Sequence, residues 1–141
     1  MTRFFHGFGR LHAWVYRHWG RLGRRFVWIP CLVLTSTGRN SGQRRESVLV
    51  YADDGDDRVV VASNGGSDRA PGWLYNVRAD PSVDVHVGAE RYPATARIVD
   101  ASDPDHARLW KLVNEVNGNR YDAYQAKTTR PIALVVLSRA G

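Results

Sequence analysis

From residue 31 onward, short apolar runs alternate with polar breaks, the rhythm of strands joined by turns. Residues 31–36 and 46–52 read as two strands around a basic turn, and 58–62 as a third. Val83, Val85 and Val87 alternate with Asp84 and His86, and Ala94, Ala96 and Ile98 alternate with Thr95 and Arg97. These are two half-buried strands, the second spanning 91–99, with Pro93 pushing its start to an edge. Residues 132–137 close the set as an apolar strand. Helical signals fall between: 72–79 opened by Pro71 and ended at Asp80-Pro81, 107–116 after Ser102-Asp103-Pro104, and 121–127 after the break Asn117-Gly118-Asn119. Several strands are joined by hairpins, so the regular strand–helix alternation of a parallel sheet is absent. The expected class is mainly β (α+β): a six-stranded antiparallel barrel with peripheral helices.

The first 29 residues differ in kind. Phe4, Phe8, Leu11, Val15 and Leu22 recur at helical spacing, widened by Trp14 and Trp19, with Arg3, Arg10, Arg17 and Arg21 between them. This predicts a basic amphipathic helix over 3–22, weakened by Gly7, Gly9, Gly20 and the adjoining Gly23. Two roles stand open for it: docking through residues 1–25 on an anionic membrane surface, or packing on the domain. Charge and Trp interrupt any secretory apolar core. The expected organisation is an N-terminal helix and linker over 1–29 and a barrel domain over 30–141.

Charge sharpens this division. Of the net +6, residues 1–45 contribute nine Arg and no acid, whereas residues 46–141 carry 11 basic and 14 acidic side chains. The basic third points to an anionic ligand or surface, and the rest argues against a nucleic-acid binder. A single cysteine, Cys31, excludes an intrachain disulfide and fits a reducing cytoplasm. No apolar run approaches the ~20 residues that span a bilayer. Five scattered histidines give no metal site, and the Asp-rich segment 53–57 reads as a hairpin tip, lacking EF-hand spacing.

Two glycine-containing turns carry the candidate chemistry. Thr35–Arg45 gathers three arginines, hydroxyl side chains and two glycines between strands, suited to holding an anion. Its Ser41 stands one position late for a hydrolase elbow, and no Gly-Lys-Ser/Thr ending makes it a P-loop. Ser63-Asn64-Gly65-Gly66, at the end of the third strand, offers exposed backbone donors.

Four ordered segments together resemble one family. They are Leu34–Arg45, Ala62–Gly66, Trp73–Pro81, and Tyr121–Gln125 followed by Arg130-Pro131-Ile132. The chain, from about residue 30 to its end, resembles the deazaflavin-dependent nitroreductases, actinobacterial split β-barrel enzymes that use coenzyme F420. The resemblance implies hydride transfer from reduced coenzyme F420H2 to an electron-poor small molecule: a quinone, an enone or a nitroaromatic. It implies that Arg39, Asn40 and Ser41, with Arg45, Glu46, Ser47, Val48, Leu49 and Val50, line the coenzyme's phosphate and acidic tail. It further implies that Val61, Ala62, Ser63 and Asn64 pass the deazaflavin ring. Gly72, Trp73, Leu74, Tyr75 and Asn76 would close another side, Asn76 by a hydrogen bond. Tyr121 and Tyr124 would border the substrate pocket, one of them supplying a proton or hydrogen bond; read without the family, both tyrosines are core residues. Flavin mononucleotide (FMN) is the alternative cofactor, since related split barrels bind it, and a coenzyme-carrying or surface-binding protein without turnover is the non-enzyme alternative. A quinone substrate lives in lipid, which links the amphipathic helix to a place at the inner face of the cell membrane. The expected assembly is a monomer or homodimer.

Overall fold

The computed structural model describes residues 29–140. The helix predicted over 3–22 lies outside these residues.

Six strands form a closed antiparallel barrel: β1 (Cys31–Thr37), β2 (Arg44–Asp54), β3 (Asp57–Val61), β4 (Ser82–Val87), β5 (Glu90–Val99) and β6 (Leu134–Arg139), in the order β1-β2-β3-β6-β5-β4. Leu34 pairs with Ser47 on one side and Val85 on the other, which closes the ring at β1–β4. Alternate residues fill the interior, among them Leu32, Leu34, Val60, Val85, Ala94, Val135 and Leu137. β3 and β6 are continuous apolar runs because both of their faces are covered. Val60 and Val135 face inward, whereas Val59, Val61, Leu134 and Val136 pack outward beneath a helical layer.

Among the described residues three α-helices pack on the barrel: α1 (Gly72–Ala79), α2 (His106–Val116) and α3 (Arg120–Gln125). α1 follows its predicted bounds, set between Pro71 and the extended Asp80, and its Trp73, Leu74 and Val77 plug one end of the barrel. At the opposite end, the Arg58 guanidinium lies 5.4 and 5.6 Å from the Tyr51 and Tyr92 ring centroids. α2 buries Leu109 and Val113, one turn apart, against the barrel's outer face, leaving Trp110 and Val116 half-buried beside them. The predicted apolar face is therefore rotated by about one residue. Gly118 and Asn119 take φ of 59° and 60°, which breaks α2 from α3. Asn114 then ties the two helices together: its Nδ2 donates to the Trp110 carbonyl at 2.9 Å, and its Oδ1 accepts from Asp122 N–H at 3.1 Å.

Pro93 does not make an edge. It lies opposite Asp84 of β4, and its carbonyl accepts from Ala140 N–H at 3.0 Å. The N–H and C=O of one antiparallel residue point the same way, so the missing donor faces the last rung beside β6 and leaves the β4 ladder whole. The 53–57 segment is a hairpin tip, with Asp54 paired to Asp57. No cluster of metal-ligating side chains occurs among the described residues.

Candidate active site

A cleft of about 690 Å³ opens between β2, the exit of β3, the start of α1 and the α2–α3 junction. That is a size suited to an organic cofactor or substrate. β2 supplies Ser47, Val48, Leu49 and Val50; the end of β3 supplies Val61. Residues 63–65 and 69–72 form the next wall, Trp73 the floor toward the barrel core, and Asn117, Arg120, Tyr121 and Tyr124 the far side.

The wall at residues 63–65 has an uncommon backbone. Ser63 is right-handed (φ −81°, ψ −34°), while Asn64 and Gly65 take φ of 45° and 64°. A right-handed residue followed by a left-handed one turns successive N–H groups toward a common concave side, a geometry that receives electronegative atoms. The Asn64 side chain stabilises the turn by donating Nδ2–H to the Arg69 carbonyl at 2.9 Å. Gly66 follows with φ of 84°, and a Cβ there would stand 2.7 Å from the Tyr124 carbonyl oxygen. Only glycine lets this turn lie directly against α3.

Tyr121 is buried and Tyr124 half-buried, their rings 6.2 Å apart and edge to face. The cluster continues through Trp110, 6.4 Å from Tyr121, to His106, stacked on Trp110 at 5.5 Å. Burial pushes the Tyr121 hydroxyl up to about 12, against the opposing pull of its hydrogen bond with Asn117. It is a neutral donor throughout the physiological range. Burial also raises the Cys31 thiol.

Among the residues singled out from the sequence, Ser47, Val48, Leu49, Val50, Val61, Ser63, Asn64, Gly72, Trp73, Tyr121 and Tyr124 meet at this cleft. The rest lie elsewhere. Ala62 and Leu74 are core residues of the barrel. Tyr75 is exposed beneath Arg39, whose guanidinium stands 5.0 Å from the ring centroid. Asn76 is not a cleft residue: its Oδ1 accepts from both the N–H and Nη1 of Arg39 at 3.1 Å, so its oxygen fastens the basic turn to α1. Arg39 reaches the cleft rim by donating Nη1–H to the Gly72 carbonyl at 3.3 Å. Asn40 is exposed at the turn, and Ser41 Oγ accepts from Gln43 N–H at 3.2 Å and from Arg45 Nη2 at 3.5 Å. Glu46 faces a separate surface groove beside Arg44 and Asp84, which pair at 2.5 Å. Sequence reasoning missed Arg69, Ala70, Pro71 and Arg120 as cleft residues. Two of these are cations at an opening between apolar walls, a placement that composition alone does not signal.

The sequence profile of the F420H2-dependent quinone reductases matches residues 8–139. An F420H2-dependent quinone reductase of Mycobacterium tuberculosis (strain ATCC 25618 / H37Rv) is 49% identical over 132 residues, covering 92% of this chain and 89% of that protein. A solved F420H2-dependent reductase is 34% identical with a TM-score of 0.69, covering 77% of this chain and 94% of that one. Another solved neighbour, described as a domain-swapped dimer, is 30% identical with a TM-score of 0.70 over 91% of this chain and 99% of that one. An FMN-binding protein of Nostoc punctiforme shares the fold at a TM-score of 0.57 over 89% of this chain and 78% of that one, but only 11% of the sequence. That likeness gives the flavin alternative no support. The chain belongs to the F420H2-dependent quinone reductase family.

Proposed function

We propose that this protein reduces a quinone with F420H2, the ring and the acceptor meeting in the cleft between β2 and α3. The observation that carries the reading is the convergence there of apolar walls, a backbone turn rich in donors and a buried, protonated tyrosine. The residues fit a flat ring with an anionic tail. Val48, Val50, Val61 and Trp73 supply apolar walls, the Ser63–Gly65 backbone supplies donors, and Arg69 and Arg120 supply positive charge. When bound, F420H2 supplies a hydride from ring carbon 5. The basic turn beyond Ser47, with Arg39, Asn40, Ser41 and Arg45, would hold the acidic tail. Ala62, Leu74, Tyr75 and Asn76 act from behind, holding the walls and the basic turn.

The chain's own contribution is orientation, exclusion of water and a proton. A quinone gains one hydride and one proton to become a hydroquinone. Tyr121 keeps its proton to about pH 12 and donates a hydrogen bond to the acceptor oxygen as negative charge develops there. Tyr124, nearer the surface, passes the proton from solvent. Enones and nitroaromatics are further acceptors on the same chemistry. Residues 1–25 bring the site to an anionic membrane surface on the cytoplasmic side, where lipid quinones reside; no described helix is long and apolar enough to cross the membrane. Monomer and homodimer are both compatible with a cleft built from one chain.

The test is to mix the full chain with F420H2 and a short-chain naphthoquinone and follow coenzyme absorbance anaerobically. One coenzyme oxidised per quinone reduced is expected. Tight coenzyme binding with no consumption across quinones, enones and nitroaromatics would favour the carrier reading.

A further inference from the structure

We propose that Arg130, outside the cleft, is the positioning residue that aims the Ser63–Gly65 amides at the bound coenzyme and holds that wall in register with the tyrosine wall. The inference rests on the placement of the ring proposed above.

The Arg130 guanidinium donates to three backbone carbonyls of one loop. Nη1 reaches Ala62 O at 3.2 Å and Nη2 reaches Ser63 O at 3.0 Å. Nη2 and Nε both reach Ser67 O, at 2.8 and 3.1 Å. Both ends of the turn are thus fixed by one rigid, permanently charged fork. In a planar trans peptide the C=O of one residue and the N–H of the next point in opposite directions. Turning the Ala62 and Ser63 carbonyls onto Arg130 therefore turns the Ser63 and Asn64 N–H groups away from it. Ser63 and Asn64 line the cleft, and Arg130 does not. The left-handed φ of 45° at Asn64, unfavourable for a side-chain-bearing residue, is sustained by this clasp.

The same segment grips α3. Gln125 Nε2 donates to the Arg130 and Thr128 carbonyls at 2.8 and 3.3 Å, and Gln125 Oε1 accepts from Ile132 N–H at 2.9 Å. Thr128 Oγ1 donates to Asp68 Oδ1 at 2.7 Å and accepts from Arg130 N–H at 3.1 Å. Arg130 thereby joins the wall that meets the ring to the helix that carries Tyr121 and Tyr124, across more than 60 residues of sequence.

The test compares Arg130→Ala and Arg130→Lys with the parent in the full chain. The readouts are coenzyme affinity by Trp fluorescence, kcat and KM, and amide hydrogen exchange of residues 62–69. Displacement of the loop by the order of 1 Å predicts a 10- to 100-fold loss of kcat/KM for Arg130→Ala. Faster exchange at 63–67 with no change in β6 is expected, and millimolar guanidinium ion should restore affinity and turnover together. Lysine, a point charge, should rescue only in part. If Arg130→Ala does not fold, Arg130→Lys carries the test through exchange and affinity. Loop exchange, affinity and kcat/KM within twofold of the parent in a folded variant overturn the proposal, as does an activity loss that guanidinium leaves untouched. Failure of the parent itself to bind F420 would instead count against the proposed function.

Discussion

Gly66→Ala tests whether direct contact between the 63–67 turn and α3 shapes the cleft. An added Cβ would lie 2.7 Å from the Tyr124 carbonyl oxygen, 3.1 Å from Tyr124 Cα and 3.2 Å from Lys127 Cβ. Two of these are backbone atoms of α3 and the third is a Cβ fixed to the backbone just beyond it, so none can rotate aside. Ordinary contact begins at 3.4 Å, so turn and helix must separate by about 0.7 Å at the oxygen. The residue's φ of 84° adds a left-handed penalty of roughly 1–2 kcal/mol for a residue with Cβ. Gly88→Ala isolates that second effect: its φ is 55°, a Cβ there meets nothing within 4 Å, and Gly88 does not line the cleft. Both variants should lose thermal stability, Gly66→Ala by the larger amount. Only Gly66→Ala should lose kcat/KM, by roughly tenfold or more, because Tyr124 retreats from the acceptor. Thermal melts and steady-state rates with F420H2 and a naphthoquinone read this out. Equal melting losses with undiminished turnover would refute the claim that this contact sets the cleft.

Tyr121→Phe and Tyr124→Phe should lower kcat about tenfold or more while changing coenzyme affinity less than twofold; unchanged turnover in both would remove the tyrosines from the mechanism. Tyr121 also gives a pH signature. Its folded value, about 12, lies above the ordinary 10.0, so its stabilising contribution is complete below pH 10 and lost between pH 10 and 12. Tyr121→Phe should flatten that part of the alkaline stability curve, and a curve unchanged from the parent would contradict the raised value. Deleting residues 1–22 should abolish co-sedimentation with anionic liposomes; retained binding would exclude this segment as the membrane contact.

The fold was legible where local signals stood alone. Pro71 and Asp80-Pro81 bracket α1, and its Trp73, Leu74 and Val77 share the buried face that their spacing requires. Strand ends were less legible: β2 continues through Arg44 and Arg45 at one end and Asp53 and Asp54 at the other. Ladder pairing with Thr37, Ser36, Arg58 and Asp57 holds these polar residues extended whatever their polarity. Pro93 misled because an edge in one dimension is a closed rim in a barrel. At the site, the Ser63–Gly66 turn announced itself through glycine, but the partners that define it did not. Arg39 is spent on Asn76 and Gly72, and Arg130 reaches back to residues 62–67. Such contacts join residues with no shared periodicity, so only the folded chain brings them together.

The central claim, that this cleft holds deazaflavin, is tested most directly by titrating the full chain with oxidised F420 and, in parallel, with FMN. Trp73 lines the cleft and should report binding by fluorescence. The expected result is micromolar F420 binding, quenching that is lost in Trp73→Phe, and FMN binding at least tenfold weaker. Tight FMN binding with none for F420, or F420 binding whose signal ignores Trp73, would contradict the account.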